Sequence, residues 1–358
     1  MASTVIPFGP QHPVLPEPIQ LQLEVKDERV VKALPNIGYV HRGIEKAAEQ
    51  NALDQNVFLV ERVCGICSFM HAVSYCQGVE ELMGLQVPDR ARFLRVVWSE
   101  LHRIHSHLLW LGLYADAFGY ESLFMQVWRN RERIMDALEK TAGHRVIISA
   151  CQIGGVRRDL DADGIAFIHA TLDFLEEQMK SMAKIFRDDK TIRHRTAGVG
   201  VLTREQAREL GAVGPMARAS GIGEDIRTQG YAPNGQRDFQ PVVETAGDCW
   251  ARGMIRVREV LQSAGLVRQA IARLPAGDIA VKAKGAPNGT AISRVEQPRG
   301  EVVYYLAASG GKQLDRLRIR TPTFANVPAL VAMLPGARFA DVPVITLTID
   351  PCISCTER

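Results

Sequence analysis

Two pairs of cysteines offer the clearest chemistry in this sequence of 358 residues. Cys64 and Cys67 form a C-x-x-C unit in "RVCGIC", and Cys352 and Cys355 form a second one in "DPCISC". Together the two units supply four thiolates, a complete tetrahedral set for a metal ion. A zinc ribbon usually closes its two halves over about 15–20 residues, but these pairs come from opposite ends of the sequence. We therefore expect a metal site that forms only when the whole chain has folded.

The residues around the cysteines leave the identity of the metal open. Soft thiolates suit zinc, iron–sulfur clusters, and nickel or iron, so a closed structural zinc site is the simplest interpretation. Other neighbours favour a tuned site. His71 follows Cys67 by four residues and could donate a hydrogen bond to the Cys67 sulfur. Asp350 and Pro351 directly precede the second pair. Taken singly, His71 is equally well an ordinary core histidine and Asp350 a turn residue.

The elements that must position these cysteines are predicted to be mainly helical. The spacing of apolar residues predicts a helical region over about 42–84, with both cysteines of the first pair inside it, and further helices over 87–118, 164–187, 203–211 and 247–273. Alternating residues predict β-hairpins at about 19–34 and 300–322. No linker divides the chain. The prediction is a mainly α fold: one domain over 1–358, a helical bundle with small peripheral antiparallel sheets and a metal-binding C-terminal segment, 350–358.

Composition excludes several functional classes. The net charge of +3 is too small to suggest nucleic-acid binding. No apolar run is long enough to span a membrane, and the first residues do not resemble a secretory signal. Seven cysteines in a long chain indicate a reducing compartment rather than a disulfide framework. The isolated cysteines, Cys76, Cys151 and Cys249, are interpreted as small core residues. Three histidines of the 87–118 helix, His102, His105 and His107, are interpreted as packing or surface residues, and a role beside the centre or in a proton path stays open as the alternative.

The two cysteine motifs together carry a family resemblance. "RVCGIC" followed by His71, with a terminal "DPCISC", resembles the large subunit of the [NiFe]-hydrogenases. Other segments resemble the quinone-site 49 kDa subunit of respiratory complex I, which lacks the four cysteines: "GPQHP" (9–13), "GYVHRGIEK" (38–46), "IGGVRRD" (153–159), "TAGDCWARGMIRVREV" (245–260) and "RVEQPRGEVVYYL" (294–306). A chain with both features resembles the catalytic subunit of the energy-converting, membrane-bound hydrogenases of the Ech and CO-induced types, over essentially all of 9–358.

This resemblance implies a Ni–Fe centre, with nickel and an Fe(CO)(CN)2 group. Nickel would be bound by all four cysteines, with Cys64 and Cys352 terminal and with Cys67 and Cys355 also bridging to iron. The implied activity is reversible cleavage of H2. A terminal thiolate such as Cys64 or, by a chemically more demanding route, an arginine would accept the proton.

Four further residues take their roles from the same resemblance. Arg299, in "QPRG", would hang over the open metal position, and Pro298 would line the pocket for the diatomic ligands. Asp350 would hold Arg299 in place. Glu17, in "PEP", matches the glutamate that gates proton exit.

A second metal is implied near the C-terminus. Glu45, in "HRGIE", matches a residue that helps bind a structural Mg or Fe ion in other family members. In this sequence Thr356, Glu357 and Arg358 stand where relatives keep a histidine. The sequence leaves open whether an ion pair takes over the role of that metal.

The resemblance also implies partners. These are a small subunit with a [4Fe–4S] cluster, ferredoxin-type iron–sulfur subunits, integral-membrane subunits that pump ions, and ferredoxin as electron carrier, but no nucleic acid. The chain would be a peripheral subunit on the cytoplasmic side of the membrane. Two other classes remain open at this stage: a complex I-like quinone-reducing subunit, and a non-catalytic subunit with a structural four-cysteine zinc site.

Overall fold

The computed structural model describes residues 3–229 and 239–358, and residues 1–2 and 230–238 of the predicted domain lie outside the described part. The helices are α1 (Ile44–Gln50), α2 (Leu53–Glu61), α3 (Ser68–Leu82), α4 (Asp89–Ala117), α5 (Glu121–Ala142), α6 (Ala162–Asp188), α7 (Lys190–Thr196), α8 (Arg204–Glu209), α9 (Pro215–Ala219), α10 (Cys249–Ala272), α11 (Pro322–Met333), α12 (Val342–Thr348) and α13 (Ile353–Glu357). The strands are β1 (Thr4–Phe8), β2 (Gln20–Lys26), β3 (Arg29–Asn36), β4 (Cys151–Gln152), β5 (Gly155–Val156), β6 (Asn288–Gln297), β7 (Gly300–Ser309) and β8 (Arg316–Arg320).

The strands form small antiparallel sheets around the helices. One sheet has the order β1-β2-β3, another pairs β4 with β5, and a third has the order β6-β7-β8. The predicted mainly helical bundle with small antiparallel sheets is confirmed. No helix among the described residues is long and apolar enough to cross a membrane.

Helix α4 lies at the centre of the bundle and packs against α5 and α10. Most of its side chains are buried, polar ones included. Local signals set the ends of neighbouring helices. The side chain of Asp248 accepts a hydrogen bond from the Ala251 amide at the start of α10, and Thr203 and Gln206 form the predicted capping box of α8.

The structure differs from the prediction at two places next to the site. The helical region over 42–84 is three helices, and the first cysteine pair lies in the irregular segment between α2 and α3 rather than inside a helix. The predicted C-terminal hairpin is β7 and β8. The strand β6, which was not predicted, pairs with β7 on its other side and extends the hairpin to a three-stranded sheet. The tight turn that joins β6 to β7 contains Pro298 and Arg299.

A fully buried network of charged side chains joins α4 and α10 to β6. Arg218 bonds to Glu296 at 2.7 Å and to Glu259 at 2.9 Å, and Glu259 also lies 2.8 Å from His107 Nε2. Arg227 extends the network toward Asp225 and Glu100. Each buried charge in this network needs an opposite charge beside it, because removing an unpaired charge from water costs free energy.

Candidate metal centre

The four cysteine sulfurs converge in the interior, as the sequence predicted for a site built from both ends of the chain. The Cys352 thiol lies 3.2 Å from Cys64 Sγ, and Cys67 Sγ lies 3.6 Å from Cys355 Sγ. Within residues 3–229 and 239–358, only Cys64, Cys67 and Cys355 form a group of three or more potential ligands whose ligand atoms all lie within 4.8 Å of one another. Cys352 adjoins this group through Cys64.

These separations suit four thiolates around metal. Bonds of about 2.3 Å to tetrahedral sulfur ligands place the sulfurs roughly 3.7 Å apart, and a disulfide would require about 2.05 Å. All four cysteines are buried and free. A hydrogen bond from the Cys352 thiol, above all, holds the pKa of Cys64 well below its ordinary value. Burial raises the pKa of Cys67 and Cys355 well above theirs. Since crowded thiolates repel one another, the donor set fits a cation that neutralises it.

Each cysteine pair begins a helix. Cys67 is the N-cap residue of α3, and Cys352 is the N-cap residue of α13. The Cys355 amide donates to Cys352 Sγ at 3.4 Å, because the first turn of a helix leaves its amide groups without internal partners. Asp350, before the second pair, has a left-handed φ of 56° that turns the chain into this helix.

Arg299 and Asp350 form a buried pair beside the sulfurs. Arg299 Nη2 lies 2.7 Å from Asp350 Oδ1, and Arg299 Nε donates to the Asp350 carbonyl at 2.8 Å. Burial lowers the pKa of Arg299, but the Asp350 carboxylate and the thiolates outweigh burial and keep the pKa well above its ordinary value. Arg299 Nη1 and Asp350 Oδ2 have no hydrogen-bond partner among the described residues. Such orphaned polar atoms fit a group that the protein itself does not supply.

The backbone of Gly214 packs closely against Arg299 and Gly300, and this contact helps to fix the position of Arg299. Gly214 and Gly300 both have positive φ angles, 65° and 129°. A Cβ on Gly214 would lie 2.3 Å from the Arg299 carbonyl oxygen, which is closer than such contacts allow. The segment before α9 therefore presses directly on the β6–β7 turn. Pro298, in the same turn, is buried.

His71 contacts the second cysteine pair rather than the first. Its Nε2 lies 3.5 Å from Cys355 Sγ, so the expected hydrogen bond to Cys67 is replaced by one across the site. The reason is that Cys67 caps α3, and His71, one turn into that helix, faces α13 instead. Tyr304 OH lies 2.7 Å from Nδ1 of His71. Burial lowers the pKa of His71 to about 4, so the ring is neutral near pH 7.

Glu17 reaches the centre through Ser354. Its Oε2 accepts a hydrogen bond from the Ser354 amide at 2.8 Å, and its Oε1 accepts one from the Ser354 hydroxyl. Ser354 directly precedes Cys355. A carboxylate from the N-terminal segment is thus placed within one residue of a site cysteine.

Glu45 lies near the C-terminal segment, as implied, but its surroundings do not fit a metal ion. Oε1 accepts from the Ile319 amide and from Arg358 Nε, each at 2.9 Å, and Oε2 accepts from Arg318 Nη1 at 3.1 Å. Burial raises the pKa of Glu45, but these donors outweigh burial and lower it overall. Both carboxylate oxygens are already engaged by N–H donors.

Several contacts of the site were missed by sequence reasoning. Ser354 binds Glu17, and Tyr304 binds His71. Both contacts join segments that are distant in the sequence, so no local pattern marks these residues. The three isolated cysteines are buried core residues, as expected. The three helix histidines are all fully buried, which excludes a surface position: His102, His105 and His107.

Comparisons with known proteins identify the family. The chain matches the nickel-dependent hydrogenase family over residues 42–115 and the 49 Kd subunit of respiratory-chain NADH dehydrogenase over 117–286 and 280–358. It is 41% identical to the carbon monoxide-induced hydrogenase of Rhodospirillum rubrum, with 100% of both chains covered. The chain belongs to the membrane-bound hydrogenase family related to complex I.

Two further proteins are similar to this chain over nearly its whole length. The chain is 38% identical to the membrane-bound hydrogenase subunit alpha of Pyrococcus furiosus, over 99% of this chain and 87% of the relative. The fold is similar to that of a chain of the membrane-bound sulfane sulfur reductase, an archaeal respiratory membrane complex. That similarity has a TM-score of 0.94 and 31% identity, over 99% of this chain and 98% of the other. Family membership makes the chain a hydrogenase-like oxidoreductase subunit of a membrane complex.

Proposed function

We propose that this chain is the catalytic subunit of an energy-converting [NiFe]-hydrogenase, which interconverts H2 with protons and electrons. The observation that carries the proposal is the convergence of four buried cysteine sulfurs beside the Arg299–Asp350 pair. The unpartnered Arg299 Nη1 and Asp350 Oδ2 support it, because a closed four-thiolate zinc site has no use for them.

The roles proposed for the four cysteines come from the family resemblance, and the sulfur separations are compatible with them. In the proposal all four cysteines would hold nickel, and Cys67 and Cys355, whose sulfurs are 3.6 Å apart, would also hold the iron that carries CO and cyanide. Cys64 and Cys352, whose sulfurs are 3.2 Å apart, would bind nickel alone. When bound, such a centre supplies an electron-rich, redox-active site for heterolytic H2 cleavage. Pro298, buried next to Arg299, belongs to the wall around the diatomic ligands.

The protein's own part in the reaction is to hold charges and move a proton. Arg299 stays a cation because Asp350 binds it twice, so its role is electrostatic rather than that of a base. The proton acceptor is then a terminal cysteine thiolate. Glu17, bound to Ser354 next to Cys355, takes the proton onward toward the surface.

Partners must carry the electrons. The proposal assigns four of the seven cysteines to the Ni–Fe centre, and the three others are buried and too few for a [4Fe–4S] cluster of their own. The proposal therefore includes a small subunit with a [4Fe–4S] cluster, ferredoxin-type iron–sulfur subunits, ferredoxin, and integral-membrane subunits that pump ions. The relatives, named as membrane-bound hydrogenase or as part of a respiratory membrane complex, support a place in a membrane complex. The proposal puts the chain at the periphery of that complex, on the cytoplasmic face.

The test is the infrared spectrum of the purified complex together with its metal content. We expect absorption bands of metal-bound CO and cyanide, nickel in a one-to-one ratio with this chain, and H2-dependent reduction of ferredoxin. Zinc without nickel, and no such bands, would overturn the proposal in favour of a structural site. The match to the 49 Kd subunit favours quinone reduction as a second candidate. Quinone-dependent activity in a nickel-free complex would establish that alternative.

A further inference from the structure

The carboxylate of Glu45 is held by two guanidinium groups. Arg358 Nε lies 2.9 Å from Oε1, and Arg318 Nη1 lies 3.1 Å from Oε2. The side chains of Glu45 and Arg358 are only 15% and 17% exposed, whereas that of Arg318 is 60% exposed. The ion pair with Arg358 is therefore better shielded from solvent than the pair with Arg318, and it contributes more to stability.

A divalent cation does not fit beside this carboxylate. Mg2+ requires oxygen ligands in near-octahedral geometry, but both oxygens of Glu45 already accept from N–H groups. Two guanidinium charges close by would also repel the ion. In the described parts of the chain, Glu45 belongs to no group of three or more potential ligands from His, Cys, Asp and Glu.

The same contact ties down the helix that carries Cys355. Arg358 directly follows α13, whereas Glu45 lies in the first turn of α1 and also binds the β8 amide of Ile319. Glu357, the residue before Arg358, accepts hydrogen bonds from the backbone amides of Gly38 and Val40, one on each carboxylate oxygen, at 2.5 Å. Direct hydrogen bonds thus anchor α13 to the segment before α1 and to the C-terminal sheet.

We infer that the guanidinium of Arg358 is the cation of this site, binding Glu45 where a structural metal ion would otherwise be needed and positioning α13 with Cys355. Arg358 is a positioning residue, since it acts on the metal centre through the helix that precedes it. The inference does not depend on which metal the four cysteines hold.

The first test uses the unaltered complex. We expect metal analysis to find no stoichiometric magnesium, and no iron beyond that of the Ni–Fe centre and the iron–sulfur clusters. Treatment with EDTA should leave the thermal unfolding midpoint unchanged. Stoichiometric magnesium, or a midpoint that falls with EDTA and recovers with Mg2+, would overturn the inference.

The second test removes the guanidinium. Arg358→Ala should lower the unfolding midpoint by roughly 2–4 °C, as expected for the loss of one shielded charged contact in a large chain. It should also reduce the nickel, or zinc, that is retained per chain. Millimolar methylguanidinium should restore both properties at least in part, because it can occupy the same place beside Glu45.

The matched control is Arg316→Ala. Arg316 bonds to Glu49 on the same helix, α1, at 2.9 Å, and among the described residues no ion pair or hydrogen bond joins its side chain to α13. The Arg316→Ala variant should lose less stability than Arg358→Ala and keep its metal content. Methylguanidinium should have no effect on it. Equal behaviour of the two variants, or no rescue of Arg358→Ala, would contradict the inference. Failure of the proposed hydrogenase function would appear separately, as zinc in place of nickel in the unaltered complex.

Discussion

The hydroxyl of Tyr304 lies 2.7 Å from Nδ1 of His71, and the other ring nitrogen lies 3.5 Å from Cys355 Sγ. Because His71 is neutral near pH 7, it carries one ring proton. A thiolate at Cys355 requires this proton on Nε2, so Nδ1 must accept from Tyr304. The tyrosine hydroxyl therefore selects the tautomer that stabilises the thiolate.

Tyr304→Phe should release this constraint. We expect nickel to stay bound, turnover to fall by about 10-fold, and the CO and cyanide bands to shift, because partners of metal ligands have effects of this size. The control is Tyr305→Phe, one residue along β7 and partly exposed. Infrared bands that are identical in Tyr304→Phe and the parent would show that the hydroxyl does not act on the centre.

Arg299→Lys should slow turnover by about 100-fold while nickel is retained. Lysine keeps the charge but cannot make both the 2.7 Å contact to the carboxylate and the 2.8 Å bond to the carbonyl of Asp350. H2-dependent dye reduction measures turnover, and elemental analysis measures nickel. The control is Arg294→Lys, because Arg294 lies in β6 four residues before Pro298 and its side chain is 45% exposed. Full activity in Arg299→Lys would remove Arg299 from the mechanism.

Glu17→Gln should suppress H/D exchange between H2 and solvent by about 100-fold or more, the usual contribution of a positioned proton acceptor. Glutamine can still accept from Ser354, so the metal content and infrared bands should not change. Mass spectrometry of HD and H2 reports the exchange. Glu24→Gln, on β2, is the matched control. Exchange at the parent rate in Glu17→Gln would exclude a gating role.

Glu296→Gln should alter the pH dependence of stability. Burial first, and then Asp225, raises the pKa of Glu296 from 4.5 to about 7. Between these values the unfolded chain has lost the proton while the native protein retains it, so the free energy of unfolding falls as pH rises through this window. For one such group the loss is on the order of 3 kcal/mol. The glutamine variant cannot titrate and should lose less stability over the same range.

Thermal unfolding midpoints measured across this window check the effect. Glu301→Gln is the control, because Glu301 pairs with Glu296 across the β6–β7 hairpin but is bound by Arg294 and Arg320 near the surface. The same pH slope in Glu296→Gln and the parent would mean that Glu296 ionises normally in the native state.

Local patterns were enough to predict the class of the fold and to propose the four ligands of the centre. The long helices α4, α6 and α10 begin and end within two residues of their predicted bounds, because their apolar spacing is regular. Asp161 and Asp248 also cap the first turns of α6 and α10. The two C-x-x-C units were enough to propose the four cysteines as metal ligands without a structure. The break between α2 and α3 was missed because the apolar pattern continues across it.

Tertiary structure decided which groups meet. The contacts Cys64–Cys352 and Cys67–Cys355 each join residues 288 positions apart. Contacts such as Glu17 to Ser354, Tyr304 to His71 and Arg358 to Glu45 likewise span most of the chain or separate elements. Sequence spacing sets periodicity within an element, but it does not set how elements pack. The residue types were therefore determined by the sequence alone, whereas the partners of His71 and Glu45 were determined by the packing of α13 against α1, α3 and the C-terminal sheet.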